Sequence, residues 1–331
     1  MNLRSPRGWL PLLLVALGLA LLLSLVAGTR ALSPAELLAV LLGRPASPTL
    51  AAIVLKIRLP RALLAALVGS ALGASGSAFQ AVLRNPLADP YILGVSGGAA
   101  LGAVAALTLG FSSPLLLPAA AFAGAAGALL LVYWVAQAHS GSPHTLILSG
   151  VMVGSLASAL LLFLLWMAPA DPVRTAVFWL AGNLALADPG WLPWAALWVG
   201  AAFCALWVQC GALDLLTQGE ETAADLGLEV GRARLLLFAA AGGLTAAAVA
   251  MAGLVGFVGL TVPHVARLFW GASHRLLLPA SALLGAVFLL LADTLSRTLL
   301  APAEIPVGVV TALIGAPFFL FLLRRRQGGG E

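Results

Sequence analysis

The chain has 331 residues, of which 62% are hydrophobic and only 9% are charged, and its formal net charge is +5. From residue 92 to residue 170 it contains no Asp, Glu, Lys or Arg, whereas a water-soluble domain needs polar groups over its whole surface. This excludes a soluble fold and indicates a membrane protein, in which each crossing needs about 20 consecutive apolar residues. The basic residues are scattered over short loops, so no nucleic-acid partner is expected and the lipid bilayer is the predicted surrounding.

The apolar stretches predict an all-α integral membrane protein with about ten transmembrane helices in a single domain, residues 1–331. The first stretch follows Arg4 and Arg7 like a signal peptide, but its length and the lack of a clear cleavage site favour an uncleaved crossing. The predicted crossings are residues 10–27, 62–83, 92–109, 115–138, 146–167, 191–208, 235–255, 259–270, 276–295 and 306–323. Because ten is even and basic residues stand at both ends, both termini are expected in the cytoplasm.

Small residues recur four positions apart within these stretches, as in Gly69 and Gly73, and again in Gly98 and Gly102. This spacing lets two helix backbones approach closely. It therefore predicts a compact bundle and says nothing about the substrate.

The predicted outer loop between the first two crossings is unusually basic. It carries Arg30, Arg44, Lys56, Arg58 and Arg61, although basic residues normally gather on the cytoplasmic side. Such a concentration calls for a functional explanation. The alternative is that the arginines near residue 60 anchor the second crossing at the lipid headgroups.

A predicted inner loop contains Asn85-Pro86 and, four residues after the first proline, Pro90. Two prolines at this spacing cannot continue a helix, and Asn before Pro favours a turn. The pattern predicts a rigid turn and, by itself, no further function.

The longest predicted inner segment, residues 211–234, holds a short surface helix at 217–227. Thr217 and Glu220 have the spacing of a capping box, and Gly227 suits a left-handed helix stop. The segment is either a plain solvated connector or a docking element for a cytoplasmic partner.

Residue patterns for catalysis are missing. The sequence has no Gly-Lys-Ser/Thr phosphate loop, no Cys or His cluster with metal-ligand spacing and no close acid pair within a crossing. Cys204 and Cys210 are expected to be free. No crossing carries a central acid or lysine for coupling to an ion gradient. Uphill transport would therefore draw its energy from another subunit.

Several motifs occur in order along the whole chain: Ile57-Arg58-Leu59-Pro60-Arg61, the stretch 80–102 with Asn85-Pro86-Leu87-Ala88-Asp89-Pro90, the segment 219–228, Gly256-Phe257-Val258-Gly259-Leu260-Thr261-Val262-Pro263-His264, and Glu304-Ile305-Pro306-Val307-Gly308-Val309-Val310-Thr311. In these motifs the chain resembles the FecCD-type permeases, the membrane subunits of ATP-binding-cassette (ABC) importers for cobalamin, ferric siderophores and haem.

The resemblance implies the type II ABC importer permease fold and a homodimer in the bacterial inner membrane. It implies two ATPase subunits inside, which bind ATP and Mg, and a periplasmic or lipid-anchored substrate-binding protein outside. The chain itself is then a transport subunit and not an enzyme, with no cofactor or metal of its own.

The resemblance also implies roles for individual residues. Those that resemble the element coupling the permease to its ATPase are Thr217, Glu220, Glu221, Ala224, Leu226 and Gly227. Those matching arginines that receive glutamates of the binding protein are Arg58, Arg61 and Arg297. Those matching the cytoplasmic gate of the cobalamin permease are Asn85, Leu87, Pro143 and His144. The last two depart from the small hydroxyl residues of that permease, which leaves an identical gate in doubt.

The sequence thus predicts the permease subunit of an importer for a large metal chelate, working by alternating access. A ferric siderophore is the first expectation, with cobalamin or haem as alternatives. The competing function is a secondary transporter that is not powered by ATP.

Overall fold

The computed structural model describes residues 6–28, 30–44, 47–111, 113, 115–138, 142–186 and 189–327, and the regular elements in this part of the chain are all helical. Arg4 lies outside it. The α-helices are α1 (Pro6–Val26), α2 (Pro34–Leu41), α3 (Pro48–Ala52), α4 (Leu59–Val82), α5 (Val95–Thr108), α6 (Leu116–Gln137), α7 (Pro143–Met167), α8 (Ala170–Leu180), α9 (Leu192–Val208), α10 (Cys210–Gln218), α11 (Glu220–Asp225), α12 (Val230–Ala252), α13 (Val258–Trp270), α14 (His274–Thr298) and α15 (Val307–Gln327).

Each of the ten predicted crossings coincides with one helix, and the largest shift of an end is at α12, which starts at residue 230 rather than 235. Within the described ranges, five helices are long and apolar enough to cross a membrane: α1, α6, α7, α12 and α14. A sixth is counted if α9 and α10, bent by 55°, form one span. Helix α5 and the apolar part of α15, Val307–Leu322, are shorter. The all-α prediction is confirmed, and ten crossings stays a prediction.

Helix α4 is the centre of the bundle, where it packs against α12, α13 and α14. Glycines make this packing possible. A Cβ atom added to Gly69 would lie 2.2 Å from the carbonyl oxygen of Gly285 in α14, and one added to Gly76 would lie 2.0 Å from that of Gly259 in α13. The compact bundle predicted from the small residues is confirmed here, because these backbones touch without intervening side chains.

Close backbone contacts at glycines also join α5 to α6. A Cβ atom on Gly98 would lie 2.4 Å from the carbonyl oxygen of Gly124, and one on Gly102 would lie 2.2 Å from that of Ala120. Helix α7 packs against both α5 and α6.

The connection between α1 and α4, which the sequence predicts to be outside, contains short helices that the apolar pattern does not predict. Helix α2 begins with a capping box in which Ser33 and Glu36 bind each other's backbone N–H groups, and the π-helical turn Ile53–Arg58 leads into α4. These elements are too short to stand out as crossings. They set the position of Arg58 at the start of α4.

Candidate functional site

The segment that resembles the coupling element is built from two helices rather than one. Helix α10 runs through Thr217 to Gln218, and Gly219, with φ +126°, joins it to α11. The hydroxyl of Thr217 donates to the carbonyl oxygen of Asp214 at 2.6 Å. The predicted capping box of Thr217 with Glu220 is therefore wrong, because Thr217 lies inside the preceding helix and the glycine supplies the break.

The predicted stop at Gly227 is confirmed. Gly227 has φ +86°, and its N–H donates to the carbonyl oxygen of Ala224, while the N–H of Leu228 donates to that of Ala223. These two bonds are the Schellman pattern, which satisfies the last carbonyls of a helix through a left-handed residue. The turn fixes where α11 ends and where the chain returns towards α12.

The outer surface of the coupling segment, residues 217–227, is largely open. Thr217, Glu221, Ala224 and Gly227 are exposed, and Leu226 is 65% exposed. Glu220 instead forms an ion pair with the buried Arg234 of α12 at 2.5 Å. The pair holds α11 against the bundle while the other side chains remain available to a partner.

The gate loop, residues 84–89, has the rigid turn that the prolines predict. The Asn85 side chain accepts the N–H of Leu87 at 2.9 Å, and the N–H of Ala88 donates to the carbonyl oxygen of Asn85 at 3.0 Å. Arg84 has φ +48°, and its guanidinium lies 3.8 Å from where a Cβ atom of Gly219 would stand. The gate loop is thus a neighbour of the coupling segment.

The end of the gate loop is tied into the bundle by polar contacts that the sequence patterns did not single out. Asp89 accepts the N–H of Tyr91 at 2.8 Å; burial raises the pKa of its carboxyl to about 6, against the lowering effect of this bond. The Tyr91 hydroxyl donates to the carbonyl oxygen of Val255 at 3.1 Å and accepts its N–H at 3.0 Å. The end of the loop is therefore hydrogen-bonded to the break between α12 and α13.

The other two predicted gate residues lie on the first turn of α7. Pro143 is half-buried and His144 is exposed, and the helix is capped by Ser142, whose hydroxyl oxygen accepts the N–H of Thr145 at 3.3 Å. The two parts of the predicted gate are linked through the turn Pro90–Leu93, which packs on α7.

A groove of about 540 Å³ opens beside this turn, between the start of α5 and α7. Its floor consists mainly of glycines and serines, among them Gly94, Gly97, Gly150, Gly154 and Ser155. The groove therefore offers a smooth, weakly polar surface with few side chains that could hold a ligand.

Arg58 points into the protein. Its Nη1 atom donates to the carbonyl oxygens of Leu25 and Val26 at 2.7 and 3.0 Å, and its Nη2 atom donates to that of Arg30 at 2.5 Å. Since α1 ends at Val26, Arg58 satisfies carbonyls that have no partner within the helix.

Arg297 has a similar role from the other side. Its Nη2 atom donates to the carbonyl oxygen of Ser24 at 2.9 Å, its Nη1 atom donates to that of Ala27 at 3.3 Å, and its Nε atom lies 3.1 Å from Asp293. Arg58 and Arg297 are both buried against the end of α1, and the docking role predicted for them stays a prediction.

Of the three arginines, Arg61 is the one whose ion-pair partners include a partly exposed side chain. Its guanidinium bridges Asp293, a fully buried acid of α14, and Glu304, whose side chain is 44% exposed, with both contacts at 2.9 Å. The sequence analysis missed Asp293 and Glu304. The four-residue spacing of Asp293 and Arg297 in one apolar stretch was the available signal.

The described part of the chain contains no group of three or more His, Cys, Asp or Glu residues that could hold a metal ion. Cys204 and Cys210 are free.

The chain is similar in sequence and structure to known proteins of one family. The profile of the FecCD transport family matches residues 14–325. The cobalamin import system permease of Halobacterium salinarum is 47% identical over 278 residues, 82% of this chain and 73% of that protein. The Fe(3+)-citrate import system permease of Bacillus subtilis is 41% identical over 273 residues, 82% of each protein. A solved inward-facing ABC transporter assigned to the metal-chelate type superposes with a TM-score of 0.88 at 33% identity, covering 97% of this chain and 100% of the other.

Proposed function

Because this chain belongs to the FecCD transport family, a family of multi-pass ABC transporter permeases that are not themselves enzymes, we propose that it imports a large metal chelate by alternating access. The observation that carries the proposal is the groove of glycines and serines beside the gate loop. A bulky chelate passes along such a surface without being held, as conduction requires binding weak enough to release. Selectivity then belongs mainly to the binding protein.

The assembly that we propose is a homodimer with two ATPase subunits, which bind ATP and Mg, and a periplasmic or lipid-anchored binding protein. The whole chain, residues 1–331, forms one permease domain in the bacterial inner membrane, with both termini in the cytoplasm. Two copies placed with their grooves facing each other would enclose a pathway. The exposed face of the coupling segment supports ATPase docking, since Leu226, a large apolar side chain that is 65% exposed, would be covered by such a partner.

We propose the outer docking site at Arg61. Its partner Glu304 is partly exposed, so a carboxylate of the binding protein can take the place of Glu304, and Arg favours such exchange because its planar guanidinium binds carboxylates with two parallel hydrogen bonds. Arg58 and Arg297 then support the site by holding the end of α1.

The first experiment tests which chelate is transported. The relatives are named for cobalamin and for ferric citrate, so our first expectation of a ferric siderophore competes with cobalamin and haem. Liposomes containing this chain and its ATPase are given binding protein loaded with a ferric siderophore, a cobalamin or haem, with and without ATP. We expect ATP-dependent uptake of one chelate class. Uptake that does not need ATP would instead support a secondary transporter.

Coupling and gating are tested together by crosslinking two copies through Leu87→Cys, with Cys204 and Cys210 replaced by alanine. We expect the crosslink yield to change when nucleotide binds, and Gly227→Val to remove this change, because a β-branched residue at φ +86° costs about 1–2 kcal/mol and shifts the end of α11.

Gly231→Val is the matched control for this experiment, since Gly231 is an exposed residue of α12 near the same surface and nothing lies within 4 Å of an added Cβ atom. It is expected to behave like the parent. Equal crosslinking with and without nucleotide in the parent would show that the loop is a static turn.

A further inference from the structure

A carboxylate from the helix before the coupling segment caps a helix that is distant in sequence. Asp214 of α10 accepts the backbone N–H of His274, the first residue of α14, at 2.9 Å, and it contacts the His274 Nδ1 atom at 2.6 Å. The Ser273 hydroxyl lies 3.4 Å from its second oxygen. Ser273, the N-cap residue, makes no side-chain capping bond of its own. Asp214 therefore supplies the cap and places a negative charge at the positive end of the α14 dipole.

His274 makes this contact specific. Its side chain is 3% exposed, and its Nε2 atom is buried without a hydrogen-bond partner among the described residues. Since Nδ1 is the ring nitrogen that faces the carboxylate, the ring is oriented with its Nδ1 proton directed at Asp214. Within α10, the Thr217 hydroxyl donates to the backbone carbonyl oxygen of Asp214. The first residue of the coupling segment is in this way bonded to the main chain of the residue that carries the capping carboxylate.

The other end of α14 carries the acid that pairs with two of the arginines. Asp293, which contacts Arg61 and Arg297, follows His274 by 19 positions in the same helix. A continuous α-helix covers that separation in about 28 Å, close to the roughly 30 Å thickness of the hydrocarbon core. Helix α14 thus joins the coupling segment on one side to the proposed docking arginine on the other.

We infer that Asp214 is a positioning residue that fastens the coupling segment to α14, so that this helix carries movement between the ATPase side and the Arg61 side of the permease. The inference rests on the proposed function. If the cap served stability alone, its loss would lower the amount of folded complex without changing how the two sides respond to each other.

The test compares Asp214→Ala, Asp214→Asn and His274→Ala with the wild type, in liposomes containing the ATPase. The readout is the ratio of ATPase activity with loaded binding protein to basal activity, measured per assembled complex. We expect Asp214→Ala to reduce this ratio by about fivefold, within the usual range for coupling between sites. Asp214→Asn keeps an acceptor and His274→Ala keeps the backbone bond, so smaller reductions are expected from both. Asp171→Ala, at an exposed acid of α8, is the matched control and is expected to keep the ratio.

Ratios equal to wild type in the folded Asp214 and His274 variants would overturn the inference, even if their yields were lower. A different result would overturn the proposed function rather than the role of Asp214 alone. Wild-type transporter that shows neither stimulation by any loaded binding protein nor ATP-dependent uptake would overturn the proposed function, and the inference with it.

Discussion

Gly69→Val is expected to abolish the folded transporter. A Cβ atom at this position would lie 2.2 Å from the carbonyl oxygen of Gly285 and 2.9 Å from the Cβ atom of Leu289. The first contact is with backbone, which cannot move aside like a flexible side chain, so α4 and α14 would have to separate along their shared face. Overpacking of a buried contact commonly costs 1–3 kcal/mol, and we expect more than about 4 kcal/mol here because the clash joins two helix backbones.

The measurement is the yield of monodisperse protein in detergent and its midpoint of thermal unfolding. Gly127→Val is the matched control, because Gly127 is an exposed glycine within α6 and nothing lies within 4 Å of an added Cβ atom. We expect its stability to stay within about 0.5 kcal/mol of wild type. Similar losses in both variants would mean that valine is harmful anywhere in these helices, and not that the backbone contact matters.

Asp293→Asn is expected to have the second largest effect, a loss of about 3 kcal/mol of unfolding free energy. The side chain of Asp293 is fully buried, and its carboxylate lies 2.9 Å from Arg61 and 3.1 Å from Arg297. Asparagine keeps the shape but removes the negative charge, so two positive groups near the end of α1 lose their shared counter-ion. Removal of one partner from a buried ion pair is costly because the remaining charge stays desolvated. Thermal and denaturant unfolding in detergent measure this loss.

Glu304→Gln is the control at the exposed end of the same network. Its side chain is 44% exposed, and exposed ion pairs contribute at most about 1 kcal/mol, so the unfolding midpoint is expected to be close to that of wild type. If a carboxylate of the binding protein replaces Glu304 at Arg61, removing this competitor lowers the concentration of binding protein that half-saturates uptake. A higher half-saturating concentration would show that Glu304 itself receives the partner, contrary to our proposal.

The sequence by itself determined the positions of the apolar helices and the close packing of the bundle. Each predicted apolar stretch became one helix, because a bilayer requires internally hydrogen-bonded backbone over the apolar run. Glycines such as Gly69 and Gly98 predicted close contact, since small residues at this spacing are useful chiefly where backbones touch. The left-handed stop at Gly227 was also predictable, because it depends on one residue and its immediate neighbours.

Only the tertiary structure decided which polar groups meet. The carbonyls at the end of α1 bind Arg58 and Arg297, and the cap of α14 comes from Asp214, 60 positions earlier. No local pattern predicts these pairs, because hydrogen-bond partners across a bundle depend on which helices are neighbours and on their relative height. The start of α11 was also mispredicted, because the Thr217 hydroxyl donates to a carbonyl oxygen within α10 and does not cap α11. Periodicity reports how a residue relates to positions three or four away, whereas the role of a buried charge is set by the helix that packs beside it.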